Sequence, residues 1–159
     1  MRRQHKRIDD LIRFYTLLDQ LGQKIDGPRV LSGCTGRDSW PRRGIYFFQE
    51  QGERRSDSGA SNRIVRVGTH ALKSGSGTTL WNRLSQHKGV AKSGGGNHRG
   101  SIFRLLVGNA HISRDDLNLL SWGQGSSAKR AVTDGELQLE QLVSAEIGAM
   151  PFLWLEIYD

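Results

Sequence analysis

Cysteine, proline and long apolar runs are scarce in this sequence. Among 159 residues it has one cysteine and three prolines. The lone Cys34 cannot form an intramolecular disulfide, which excludes a disulfide-rich fold and agrees with a reducing compartment. No apolar run approaches the roughly 18 residues that span a bilayer, and the basic segment 2–7 is followed by Ile8, Asp9 and Asp10 rather than by the apolar core of a signal peptide. These absences predict a cytoplasmic protein.

Acidic residues are outnumbered by basic ones. There are 16 Asp and Glu against 23 Lys and Arg, and the formal net charge is +7. This excess favours polyanions as partners, because each phosphate that a cation neutralises releases condensed counterions. Charge alone does not identify nucleic acid, since many basic proteins carry their charge for solubility. The 20 glycines match neither the P-loop pattern nor the dinucleotide-binding fingerprint, so nucleotide-driven chemistry has no support.

Apolar periodicity in the first part of the chain predicts a helix followed by a β-hairpin. Apolar residues recur at helical spacing between about residues 5 and 21, with Gly22 as a stop, which indicates an amphipathic helix packed on the core. Glycine and proline make residues 27–43 an irregular approach to a strand at 44–48. A polar loop and a second run of β-formers at 63–67 complete a long-looped hairpin.

The rest of the chain predicts helices and one final strand. A helix capped by Thr78 or Thr79 runs to about Lys88, and the segment 133–136 has the spacing of a capping box that opens another helix. The remaining predicted elements are a short helix at 101–107 ended by Gly108, for which a strand is the alternative, a polar insertion at 109–129 with a helical turn near 115–122, and a third strand at 152–158.

Arg83 and His87 stand four residues apart on the first of these helices, so both side chains leave the same face. A guanidinium offers a planar fork for phosphate, and an imidazole can hold or transfer a proton near neutral pH. Such pairs are common on solvated helix faces, so the meaning of this one depends on the motifs around it.

Two short motifs on the predicted hairpin precede this pair. Gly44-Ile45-Tyr46 opens the first strand, and Val67-Gly68 ends the second. This ordered set resembles the GIY-YIG nuclease family, whose first tripeptide it matches letter for letter. The resemblance implies an α+β fold with a small three-stranded antiparallel sheet flanked by helices. We therefore expect residues 1–43 to form an added N-terminal amphipathic helix and connecting loop packed on the core, and residues 44–159 to form the GIY-YIG-like nuclease domain.

Carried over to this sequence, the resemblance implies a metal-dependent endonuclease that hydrolyses phosphodiester bonds in DNA. Tyr46 would orient or deprotonate the attacking water, Arg83 would bind the scissile phosphate, and His87 matches the accessory histidine of the family. Mg²⁺ or another divalent metal would stabilise the charge that develops on the phosphate oxygens. A tyrosine buried for packing alone is the competing explanation of Tyr46.

The second motif departs from the family pattern. Val65-Arg66-Val67-Gly68 places Arg66 where the family has its second tyrosine. A guanidinium cannot act as a general base near neutral pH, although it can bind phosphate. We therefore expect Arg66 to contact nucleic acid and His70, two residues beyond Gly68, to take over part of the role of that tyrosine.

A metal-binding glutamate is missing from its expected place. The family carries it on a helix after the third strand, whereas this sequence stops at Asp159. Glu140 and Glu146 precede the predicted strand and Glu156 lies within it, so none matches that position. Two explanations compete: a truncated version of a longer protein, whose glutamate would lie beyond Asp159, or a domain that has lost metal catalysis. Truncation is favoured, because a final sheet strand leaves a face to be covered.

Asn97, His98, Arg99 and Arg104 are further candidates for phosphate contact. They surround the start of a predicted helix that follows a glycine-rich loop, and helix N-termini suit anions. A zinc site is not predicted, because His98 has no second ligand at a useful spacing. The resemblance implies DNA as the partner, with contacts to its phosphate backbone. A catalytically inactive nucleic-acid-binding module on the same fold is the alternative, and a basic interaction protein with an accidental motif is a third possibility.

Overall fold

The chain folds around a four-stranded antiparallel sheet with helices on both faces. The computed structural model describes residues 2–71, 75 and 77–158. The α+β class predicted from the sequence is confirmed. The helices are α1 (Arg2–Lys24), α2 (Leu80–Lys88), α3 (Ile102–Arg114) and α4 (Arg130–Ala149), the strands are β1 (Arg29–Val30), β2 (Gly44–Arg54), β3 (Asn62–His70) and β4 (Pro151–Glu156), and short 3-10 turns lie at Leu31–Gly33 and His98–Gly100.

The prediction of three strands is wrong, because β1 adds a fourth. The strand order is β1-β4-β2-β3, and Arg29 and Val30 pair with Phe152 and Pro151 at the edge of the sheet. A two-residue strand shows no periodicity in the sequence, and it is defined here by its contact with β4, more than 100 residues later.

Strand β2 lies between β3 and β4, and both of its faces are covered. Tyr46 stands opposite Gly68 on β3 and opposite Trp154 on β4. Side chains alternate along a strand, so Tyr46 and Phe48 point to one face and Phe47 points to the other. The predicted long-looped hairpin of β2 and β3 is confirmed.

Each face of the sheet carries its own hydrophobic cluster. On one face, Tyr46 and Phe48 pack with apolar residues of α2, α3 and α4. On the other face, Tyr15 and Leu18 of α1 pack on Phe47 and Leu153. The hairpin and the three later helices therefore enclose the face on which Tyr46 lies. None of the helices in the described ranges is long and apolar enough to cross a bilayer.

Several helix boundaries differ from the sequence predictions for identifiable reasons. Helix α1 passes through Gly22 and ends at Lys24, because the left-handed backbone that closes it falls on Asp26 and Gly27, and the Gly27 N–H donates to the Gly22 carbonyl. Helix α3 passes through Gly108, where a Cβ atom would lie 2.1 Å from Trp122 Cζ2. Gly108 thus permits close packing and does not end the helix.

The capping box predicted at 133–136 is wrong. Helix α4 begins at Arg130, and the Thr133 hydroxyl donates to the Arg130 carbonyl within the helix. Glu136 instead binds Arg99. The predicted N-cap Thr79 of α2 is confirmed, with the Thr79 N–H donating to Asn82 Oδ1 at 2.7 Å. Residues 115–129 form turns, bends and irregular segments, without the predicted helical turn.

Candidate active site

Tyr46 lies near the centre of the sheet, on β2, and packs against Gly68 of the neighbouring strand β3. A Cβ atom on Gly68 would lie 2.1 Å from both Cζ and Oη of Tyr46. Glycine at position 68 therefore gives the tyrosine ring its space beside β3. The Tyr46 side chain is 1% exposed, and its ring stands edge-on to Phe48.

His87 connects Tyr46 to the start of α3. It lies in the last turn of α2 and is fully buried. Its Nε2 atom is 2.7 Å from Tyr46 Oη, and its Nδ1 atom is 2.7 Å from Ser101 Oγ. Both ring nitrogens are thus hydrogen-bonded, which fixes the orientation of the imidazole. Ser101 was not among the residues predicted from the sequence.

Burial and nearby positive charge keep His87 neutral. Burial is the largest cause, and the guanidinium groups of Arg83, Arg66 and Arg104 add to it, which together lower the pKa of His87 to about 3. At neutral pH the imidazole therefore carries one proton. A second proton on this ring would be opposed by three positive charges.

Arg83 lies one turn before His87 on α2, as the four-residue spacing predicts. Its Nη1 atom donates to Gln86 Oε1 at 2.8 Å and to the Gly100 carbonyl at 3.1 Å. Both acceptors are uncharged and the bonds are exposed, so among the residues that the structure describes no carboxylate would have to be displaced from the guanidinium by a phosphate.

Arg66 and His70 share the Tyr46 face through the two-residue period of β3. His70 stands opposite Gly44, and its Nε2 atom is 2.9 Å from Thr78 Oγ1. Burial, followed by the charge of Arg83, lowers the pKa of His70. The Arg66 Nε atom is buried and has no hydrogen-bond partner in the part of the chain that the structure describes. A buried donor without a partner is uncommon and suits an anionic ligand.

Comparison with known protein families identifies the family of this chain. A family model described as GIY-YIG domain matches residues 5–159. The chain belongs to the GIY-YIG family. No curated protein and no solved structure gives a significant match. Membership indicates a nuclease family, and hence nucleic acid as the class of substrate, and GIY-YIG nucleases generally use divalent metals. The match includes α1 as well as the sheet, and the division at residue 43 stays a prediction.

In this GIY-YIG domain, the residues predicted around the glycine-rich loop form buried ion pairs. Arg104 is fully buried and donates to Glu140 Oε2, to the Glu140 carbonyl and to the His87 carbonyl. Arg99 forms a two-pronged pair with Glu136, at 2.6 and 2.9 Å. These guanidinium groups support α2 and α4 from within the fold.

His98 and Asn97 also form hydrogen bonds with other residues of the domain. The His98 Nδ1 atom is 3.0 Å from Glu140 Oε1, and its ring stacks on Trp122 with a centroid distance of 3.8 Å. Asn97 accepts a hydrogen bond from the Arg99 N–H. Contact with nucleic acid stays a prediction for Asn97, His98, Arg99 and Arg104. The inward direction of the His98, Arg99 and Arg104 side chains gives it no support.

A metal site does not form from the side chains that the structure describes. Within residues 2–71, 75 and 77–158, no group of three or more His, Cys, Asp and Glu is placed to hold a metal ion. Both nitrogens of His87 are already bonded, and the Glu156 carboxylate accepts a hydrogen bond from Tyr158. The side chains that the structure describes therefore do not fit a divalent cation, and no catalytic step is assigned to a metal.

The close contact between Gly68 and Tyr46 gives a stability prediction. We expect Gly68→Ala to displace the Tyr46 ring and to lower the free energy of unfolding by about 1 to 3 kcal/mol, because the added methyl overlaps the phenol. Urea denaturation measures the change. Gly135→Ala is the matched control, since, apart from the neighbouring residues and backbone of α4 itself, no described atom lies within 4 Å of the added methyl, and we expect it to raise stability by about 0.5 to 1 kcal/mol. Unchanged stability of Gly68→Ala would contradict the packing.

Proposed function

We propose that this GIY-YIG domain is an endonuclease that hydrolyses phosphodiester bonds in DNA. The observation that supports the proposal most directly is the bond of 2.7 Å between Tyr46 and His87, beside the guanidinium of Arg83, in a chain of this family. A phenol held by a buried imidazole is suited to proton transfer, and a nearby guanidinium is suited to binding a phosphate.

Each residue has a distinct role in the proposed reaction. Tyr46 takes a proton from the attacking water, and His87 orients the Tyr46 oxygen. Arg83 binds a non-bridging oxygen of the scissile phosphate and stabilises the negative charge that grows there. Arg66 and His70 contact the phosphate chain on the β3 side. Mg²⁺ or another divalent metal is proposed from family membership alone, and a cytoplasmic location stays a prediction.

A catalytically inactive nucleic-acid-binding module is the second candidate. Two observations favour it: Tyr46 is 1% exposed, which limits the access of a substrate to its hydroxyl, and the described ranges hold no side-chain cluster that could bind a metal. Such a module would bind DNA through phosphates, with an affinity that falls steeply as salt is raised.

A plasmid assay separates the two functions. We expect the protein to cut supercoiled DNA in the presence of Mg²⁺, and we expect Arg83→Ala to lower the rate by about 100-fold, because it removes a group that stabilises transition-state charge. Arg130→Ala is the control, because this arginine has a 92% exposed side chain on α4, and we expect it to cut at the wild-type rate. Salt-sensitive binding without any cleavage would replace the endonuclease proposal with the binding module.

A further inference from the structure

Three buried groups form a chain of hydrogen bonds that ends at the Tyr46 oxygen. Tyr46 Oη is 2.7 Å from His87 Nε2, and His87 Nδ1 is 2.7 Å from Ser101 Oγ. Ser101 is also the N-cap of α3 and accepts the Arg104 N–H at 3.3 Å. Its side chain is almost completely buried. The position of Ser101 is thus fixed by the helix that it caps.

Tyr46, His87 and Ser101 together carry three donor protons, but only two hydrogen bonds join them. Neutral His87 has one N–H, and Tyr46 and Ser101 each have one O–H, whereas two bonds join the three groups. In one arrangement Tyr46 donates to Nε2 and Nδ1 donates to Ser101, which leaves the Ser101 proton unused. In the other, Ser101 donates to Nδ1 and Nε2 donates to Tyr46, which leaves the Tyr46 proton unused.

Among the described residues, the Ser101 hydroxyl has an acceptor for its proton only in the second arrangement. No other acceptor binds the Ser101 hydroxyl within the described part of the chain, and a buried donor without a partner is unfavourable. The Tyr46 hydroxyl is buried too, but in the proposed reaction it is the group that gives up its proton. Once that proton has left to solvent, the Tyr46 oxyanion accepts the His87 Nε2–H. Both remaining donors, the Nε2–H and the Ser101 hydroxyl, then have an acceptor.

Positive charge around His87 also favours the arrangement in which His87 donates to Tyr46. Arg83 lies on the same helix, Arg66 lies on β3, and Arg104 lies on α3, and their positive charges all oppose a second proton on the ring. His87 is therefore poorly suited to take the proton of Tyr46. A neutral imidazole that donates from Nε2 meets no such opposition.

We propose that Ser101 is a positioning residue that holds His87 as the Nε2-protonated tautomer, so that His87 donates to the Tyr46 oxygen and stabilises its oxyanion. The choice of tautomer and its catalytic consequence both rest on the proposed endonuclease function, whereas the tautomer itself can be measured in the protein without substrate. In the reaction, the proton of Tyr46 leaves to solvent, and the oxyanion takes a proton from the attacking water. The water oxygen forms the new bond to phosphorus while the bond to the leaving oxygen breaks, and the leaving oxygen takes a proton from solvent.

Nitrogen-15 NMR of the full chain measures the tautomer directly. In protein labelled at its five histidines, long-range proton–nitrogen correlations at pH 7 distinguish a protonated Nε2 from a protonated Nδ1, and the His87→Gln variant identifies the His87 signals by their loss. We expect protonated Nε2 and bare Nδ1. The reverse assignment overturns the proposal whether or not the protein cuts DNA.

Variants at position 101 test the catalytic consequence. We expect Ser101→Ala to lower kcat by about 10-fold or more with little change in KM, because it removes the donor that fixes His87. Ser101→Thr keeps the hydroxyl and should stay within about 3-fold of the wild type. Ser144→Ala is the matched control, since it removes a hydroxyl that binds Arg104 Nη2 but not the imidazole. An equal loss of kcat in Ser101→Ala and Ser144→Ala overturns the positioning role.

Substitution of His87 separates donation from proton removal. Glutamine carries an N–H donor but no basic nitrogen, so we expect His87→Gln to cut at least 10-fold faster than His87→Ala. Equal rates for the two variants would overturn the donor role. If His87 of the wild-type protein is protonated at Nε2 as expected but the protein cuts no DNA, the endonuclease proposal is contradicted and the tautomer is still supported.

Discussion

Tyr46→Phe is expected to lower the rate of DNA cleavage by about 1000-fold, within the range typical of the loss of a general base. The substitution removes one oxygen and keeps the ring that packs on Phe48 and Gly68. It also removes the bond to His87, so we expect a loss of stability of about 1 kcal/mol, too small to unfold the domain. Initial rates on supercoiled plasmid measure the first effect, and thermal denaturation measures the second.

Tyr158→Phe is the matched control for this prediction. The same atom is removed from a side chain that is 79% exposed and that donates to Glu156. We expect the wild-type cleavage rate and stability. If Tyr46→Phe kept more than a tenth of the wild-type rate, Tyr46 would be a packing residue and the base would have to be sought elsewhere.

Arg104→Leu is expected to lower the free energy of unfolding by about 3 to 5 kcal/mol, the range seen when one partner of a buried ion pair is removed. The variant leaves the Glu140 carboxylate buried without its guanidinium partner, and it removes the donor to the His87 carbonyl. Urea denaturation followed by tryptophan fluorescence measures the change. Because α2 loses a support next to His87, we also expect cleavage to fall.

Arg130→Leu tests whether the loss depends on burial. Arg130 lies 3.6 Å from Asp134 on the surface of α4, with a 92% exposed side chain. Exposed pairs at this spacing contribute about 0.5 kcal/mol or less. A similarly small change in Arg104→Leu would mean that the buried network around Glu140 does not stabilise the fold.

Local pattern in the sequence was sufficient to predict the elements that carry the family motifs. Two runs of β-formers joined by a polar loop predict the hairpin that holds Tyr46 and Gly68. A threonine cap with helical spacing predicts the helix that holds Arg83 and His87. The structure brings Tyr46 and His87 into contact, with Arg83 one turn away. Their catalytic roles stay predictions.

The rest of the site depends on contacts between distant parts of the chain. Glu140 lies 36 residues after Arg104 and 42 after His98, so no local motif marks them as partners. The glycine-rich loop suggested phosphate contact, whereas buried acids on α4 bind its basic side chains instead. Glu136 and Glu140 are four residues apart, on the face that also carries Leu139 and Val143. Acids on an apolar helix face are the one signal that could have indicated this network.

The support of His87 also constrains the order in which the domain can assemble. Tyr46 lies 41 residues before His87, and Arg104, which holds the His87 carbonyl, is itself held by Glu140 on α4. Contacts at such separations require loops to close, which costs conformational entropy, so we expect these contacts to form late in folding. A growing chain whose α4 has not yet docked therefore has the hairpin of the family without an ordered imidazole. Under the proposed endonuclease function, we therefore expect nascent and partly unfolded copies to be inactive, and only the folded domain to cut nucleic acid.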